Sequence, residues 1–204
     1  MNPTAASVAF RDEPCEEGAI TSPRLKVILA LGNMLEFICA QGPQEPALGV
    51  VQSSIFHSCE KPSLPIRTYL HRIVRYARPS TEALVHAGAQ VALLLEHALV
   101  AGTAAAVCLY SIHRIFGIAL LVQAKFDDDI YFSNAYMAGV LGMQLREVNE
   151  IELEYLDLIK FDVWIRPATH EQFMINYLFL DPLSFYPLPP PPPPHFQRQK
   201  PHSI

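Results

Sequence analysis

Apolar residues recur every three or four positions through most of this chain, and between residues 66 and 165 no two-residue alternation of the kind a strand needs competes with them. The first such stripe is Val27, Ile28, Leu31, Met34, Leu35 and Ile38. Ser22 and Pro23 open it, because serine caps free amides and proline fits a first turn whose N–H needs no partner; Gly42 and Pro43 close it. The second stripe, Ile66, Tyr69, Leu70, Ile73, Val74 and Ala77, has Arg67, His71, Arg72 and Arg75 set among it, the pattern of an amphipathic helix with one face in a core. Pro79 ends it.

Ser80 or Thr81, followed by Glu82, starts a third helix through Leu84, Val91, Leu94 and Leu95, and Gly102 with Thr103 breaks the apolar tract. A nearly all-round apolar helix is expected from about Ala104 to Lys125, and a helix of that kind belongs at the centre of a bundle. Ser133 or Asn134 caps a short helix that Gly142 stops. Leu145, Val148, Ile151, Tyr155, Leu158 and Ile159 form a last clear stripe ending at Phe161, before Pro167; Leu158, like Ile73, is expected in the core. Five helices in about a hundred residues, joined by short connections, make the class all-α. After Thr169 a further helical segment passes through Phe173, Ile175, Tyr177 and Leu178.

The organisation expected is a disordered acidic arm over 1–21, a helix over 22–41, a five-helix domain over 52–165, a helical extension over 166–186 and a disordered tail over 187–204. The tail is almost pure proline at its start, which favours extended polyproline II. Pro189, Pro190, Pro191, Pro192, Pro193 and Pro194 are therefore candidate ligands for an SH3- or WW-type groove, against the plainer reading of an inert low-complexity tail.

Half of the 204 residues are apolar, enough for a core, and a net charge of −5 gives no basic footprint for nucleic acid. Ala98 to Ile112 carries no charge and no histidine, but it is shorter than the roughly 20 apolar residues a span needs, so a core position is expected rather than a membrane one. Cys15, Cys39, Cys59 and Cys108 show no paired spacing, which fits reduced thiols in the cytosol or nucleus and no zinc knuckle. The start of the chain has no basic segment followed by an apolar run, so no secretory signal is expected. Asp127, Asp128 and Asp129 are consecutive and lack a glycine-turned loop, so they are expected to be a solvated capping run and not a metal site. No Ser/His/Asp or Cys/His set stands at a readable spacing, hence no catalytic residue, metal or cofactor is assigned.

Three strings give a sharper signal. PIRTYLHRIVRYA from Pro65, IHRIFGIALLVQAKFDDDIYFSNAYMAGVLGM from Ile112 and NEIELEYLDLIKFDVWI from Asn149 resemble, in order and spacing, the first, third-to-fourth and fifth helix motifs of the cyclins, specifically the phosphate-pathway and plant P/U types. The resemblance covers roughly Phe56 to Ile165, and more loosely the helix from Pro23.

It implies a cyclin box preceded by one helix, in a non-enzymatic subunit that activates a cyclin-dependent kinase in the cell cycle or a phosphate response. The kinase's regulatory helix would rest on the third and fifth box helices, with Lys125 and Glu152 as charged contacts and Phe126 and Tyr155 beside them. A helical adaptor that recruits partners through the proline tail and activates nothing is the alternative. Two departures accompany the resemblance: Ser63 and Ala92 stand where many cyclins keep a buried arginine–aspartate pair, and Pro62, Pro65 and Ile66 stand within a substrate-docking patch of which Tyr69 keeps an aromatic. Losing both ion-pair partners together is coherent, since one alone would leave a buried charge uncompensated at about 3 to 5 kcal/mol.

Overall fold

A computed structural model describes residues 23–41, 54–100 and 107–179; the acidic arm, most of the proline-containing loop after α1 and the proline tail, with Pro189–Pro194, lie outside them. Helix α1, Pro23–Gln41, packs antiparallel to α2, Ile66–Ala77. Arg67 of α2 fastens the two, its Nε donating to Glu36 Oε1 at 2.9 Å and its Nη2 to Asn33 Oδ1 at 2.7 Å. Helix α2 buries Ile66, Tyr69, Leu70 and Ile73 on one side and leaves His71, Arg72 and Arg75 exposed on the other, the division its periodicity dictates. It ends with Arg78 in the left-handed conformation (φ 45°) before the buried Pro79, which can continue no helix.

Ser80 then caps α3, Thr81–Val100, its Oγ accepting the Ala83 N–H at 3.0 Å. The close approach of α1 and of Phe173 to α3 rests on Gly88. A β-carbon there would lie 2.4 Å from Leu31 of α1 and 2.7 Å from the ring of Phe173, so only glycine leaves room.

The central helix, α4, runs Ile112–Asp127 and is in contact with α1, α2, α3 and α6 as well as α5, Asn134–Leu141. It is buried almost all round from Ile112 to Gln123. Its start corrects the expected one at Ala104: residues 107–111 form turns, and 101–106 lie outside the description. Ser111 explains the shift, because its Oγ accepts the Cys108 N–H at 3.0 Å and so holds a local turn in competition with a helix. Val107 and Cys108 are buried in that turn, and a buried turn carries the same unbroken apolar pattern as a buried helix.

Helix α5 begins where its cap predicts, with Ser133 Oγ accepting the Tyr136 N–H at 3.4 Å, and stops at left-handed Gly142. Helix α6, Leu145–Leu158, is opened by reciprocal bonds between Gln144 and Glu147. It ends short of Phe161 because Lys160 and Phe161 both turn left-handed (φ 54° and 57°), with the Phe161 N–H donating back to the Leu156 carbonyl at 2.8 Å. Leu158, the last residue of α6, is not a core residue; it is 48% exposed while Ile159 beside it is buried, and Ile73 is fully buried as expected. Helix α7 starts at Pro167, two residues before the expected point, and runs to Met174, followed by a π turn over Ile175–Phe179. Among the described residues there is no strand, and no helix is long and apolar enough to cross a membrane.

Candidate functional site

Where α4 leaves the core, its last turn points Lys125 outward, toward the second turn of α6 and Glu152. Lys125 Nζ donates to Glu152 Oε1 at 2.5 Å. The other carboxylate oxygen accepts from Asn134 Nδ2 at 2.6 Å, and the same Asn134 amide donates to Asn149 Oδ1 at 2.8 Å. Three helices thus meet on one carboxylate, which is only 14% exposed, while the lysine is 30% exposed. Both charges are reachable from outside, and the bonds between them are of the short, charge-assisted kind that fixes side-chain direction.

Apolar surface borders this pair. Phe126 follows Lys125 and is more than half exposed, and Leu153 follows Glu152 and is 66% exposed; Ile130 and Tyr131 stand out beyond the end of α4. Scattered exposed apolar side chains are ordinary, but a set of them next to a held ion pair is what a protein-binding face presents.

Tyr155 does not belong to that face. It is fully buried, its phenol pKa is pushed far up by burial, and its Oη finds no hydrogen-bond partner among the described residues. It belongs to the buried stripe of α6 with Val148 and Ile151, both of them fully enclosed. Lys125 and Glu152 are brought together with the exposed Phe126 beside them, and Tyr155 lies in the core. Of the two cap candidates, Ser133 is the one that caps α5, while Asn134 holds Glu152. The asparagine of the Asn134-Ala135-Tyr136 string and the leading asparagine of the NEIELEY string are the sequence signals for Asn134 and Asn149.

The acidic run beside this site is not simply solvated. Asp127 Oδ2 is 2.8 Å from His86 Nδ1, and His86 Nε2 is 3.1 Å from His170 Nδ1, a chain linking α4, α3 and α7. Asp128 Oδ2 accepts the Ser80 N–H at 3.2 Å. The two carboxylates therefore diverge to tie down neighbouring helices. Burial, with the neighbouring His86, lowers the pKa of His170. On the α2 side, Ser63 is exposed and Ala92 buried, and neither position carries a charge. Ile66 and Tyr69 are both buried, so they offer no open apolar patch there.

The description "cyclin" for a protein family matches residues 39–163. The chain is 30% identical over 171 residues to Cyclin-U4-1 of Arabidopsis thaliana, covering 80% of this chain and 82% of that protein. It is 37% identical over 115 residues to Cyclin-P4-1 of Oryza sativa subsp. japonica, covering 56% of this chain and 52% of that protein, and 31% identical to Cyclin-U4-3 of Arabidopsis thaliana, covering 65% and 64%. Together with the all-α box and the order of its three helix motifs, these matches show that the chain belongs to the cyclin family and is of its P/U type.

Proposed function

We infer that this protein is the regulatory subunit of a cyclin-dependent kinase, and that it activates the kinase by docking on its regulatory helix with the α4–α6 face. The observation that carries this reading is the Lys125–Glu152–Asn134 constellation, held at the surface and bordered by Phe126 and Leu153. A protein kinase needs an ion pair between a strand lysine and a glutamate on its regulatory helix before ATP phosphates are positioned. A partner that binds only the conformation with that helix turned inward shifts the population toward it, by no more than its differential affinity for the two states. On this reading the kinase does the chemistry and this chain contributes binding free energy. Its place of action on this reading is the cytosol or nucleus, in the cell cycle or a phosphate response.

The test is a pull-down of the full chain from native cells, with the captured kinase then assayed with and without added recombinant protein. Stimulated phosphorylation supports the reading. Capture of a kinase whose activity does not change would support the adaptor alternative, and failure to capture any kinase would overturn both the face and its role.

A further inference from the structure

Helix α2 contains no acidic residue, and its outer side with the residue that caps it presents His71, Arg72, Arg75 and Arg78, all exposed, on a protein whose overall charge is −5. Helix α1 offers Glu36, which Arg67 already engages, and α5 offers no carboxylate; Asp127 of α4 is held by His86. Arg72 donates to the Gly139 carbonyl at 2.8 Å, and Arg75 lies 5.6 Å from the Tyr76 ring. Among the described residues neither Arg72 nor Arg78 pairs with a carboxylate.

Four carboxylates, Asp12, Glu13, Glu16 and Glu17, fall within six residues of the segment that precedes α1. That segment joins the fold beside the basic face. Arg24, in the first turn of α1, donates to Thr81 Oγ1 at 3.5 Å, and Thr81 stands three residues beyond Arg78. At about 3.3 Å per extended residue, the stretch from Pro23 back to Glu17 reaches about 20 Å and that back to Asp12 about 36 Å. The basic side from His71 to Arg78 is about 10 Å long at the helical rise of about 1.5 Å per residue.

We propose that the acidic segment Asp12–Glu17 docks in cis on the basic outer side of α2, shielding it from acidic segments of other proteins. Complementary charge, a tether of sufficient length and an anchor next to the site act together, because tethering replaces a bimolecular encounter with a local concentration of roughly millimolar order. Each exposed ion pair is weak by itself, so the docking is a collective, salt-sensitive contact.

The test places a nitroxide on Cys15 of the full chain, with Cys39→Ala and Cys59→Ser removing the other accessible thiols and Cys108 buried. At low salt, the amides of residues 71–78 are expected to broaden several-fold more than those on the exposed side of α6. At about 0.5 M salt, where the screening length is about 4 Å, that difference is expected to vanish. A combined Arg72→Gln, Arg75→Gln, Arg78→Gln variant with intact circular dichroism should abolish it as well, and if that variant does not fold, the salt series decides. Broadening that is even over the molecule, centred elsewhere or indifferent to salt overturns the proposal. In a second arm, a labelled peptide of residues 8–20 should bind a full chain with Asp12→Asn, Glu13→Gln, Glu16→Gln and Glu17→Gln at least tenfold more tightly than the native chain. Equal binding would mean that the basic side stays open to acidic partners in trans, and the docked arm would be wrong.

Discussion

Lys125 and Glu152 are bonded to each other in the free protein, at 2.5 Å, although each belongs to a different helix and both face the surface proposed to receive a kinase. Each side chain is thereby held in direction before any partner arrives, and a partner's backbone groups must share or replace that bond. Separate truncations should therefore not act independently. Lys125→Ala or Glu152→Ala alone removes a charge-assisted bond of about 1.5–3 kcal/mol, or roughly 10- to 100-fold in kinase affinity, and leaves the other charge without its partner. The double variant is expected to lose less than the product of the two single losses, a coupling that a titration-calorimetry mutant cycle reads directly. Asn134→Ala should weaken binding through Glu152 alone. Full additivity across the cycle would mean that the two residues meet the partner separately.

Phe126 and Tyr155 stand on opposite sides of the same helix pair, one more than half exposed and the other fully buried. Phe126→Ala is expected to weaken kinase binding while leaving the thermal melt almost unchanged. Tyr155→Ala should cost about 3–5 kcal/mol of stability, as large aromatic truncations in cores do. Tyr155→Phe is the more telling change: because the buried Oη has no partner among the described residues, removing it should raise stability by about 1 kcal/mol. A fall in melting temperature for Tyr155→Phe would reveal a partner for that hydroxyl.

Gly88 lies in the middle of α3, where alanine would favour the helix by about 0.5–1 kcal/mol on backbone grounds. Leu31 and Phe173 occupy the space its side chain would need, and both are buried. Gly88→Ala is therefore expected to destabilise the protein, by about 1–3 kcal/mol, through overpacking at the α1–α3–α7 junction. Denaturant melts of the two proteins, with the slope checked for constancy, would measure it.

Burial is the leading cause that lowers the pKa values of His57, His113 and His170 below the ordinary 6.5. A histidine depressed in the fold binds its proton more readily in the unfolded chain, so stability is whole above about pH 6.5 and declines as pH falls through the folded values. Melting temperature should drop steadily from pH 7 to pH 5. His113, whose Nε2 donates to the Leu64 carbonyl at 2.8 Å, should contribute through burial, and His113→Gln should flatten the profile. An unchanged slope in that variant would assign the acid sensitivity to the other two.

Replacing Ile73 by alanine should cost about 2–5 kcal/mol, and the same change at Leu158 well under 1 kcal/mol, because only Ile73 is enclosed. Chemical denaturation of the pair would separate them. Asp128→Ala should cost about 1 kcal/mol, since it frees the Ser80 N–H at the start of α3.

What the sequence by itself determined is local. Periodicity, proline and glycine punctuation and the Ser80 and Ser133 caps marked α1, α2, α3 and α5, because helix faces and helix ends are decided by residues a few positions apart. The motif strings pointed to the family and to Lys125, Glu152 and Phe126, since those strings are contiguous. Tertiary structure decided the rest. Leu158 and Ile159 both continue the stripe of Val148, Ile151 and Tyr155, but only Ile159 is buried where α6 ends, and no stripe records how far the neighbouring helices cover it. Tyr155 lies on the buried side of α6, which packs on α4. Asn134 could not be assigned to Glu152 from sequence, because the two are eighteen positions apart and meet only when the start of α5 packs beside the middle of α6. Asp127 and His86 likewise join through the packing of α3 on α4, a contact between residues forty-one positions apart that no local pattern encodes.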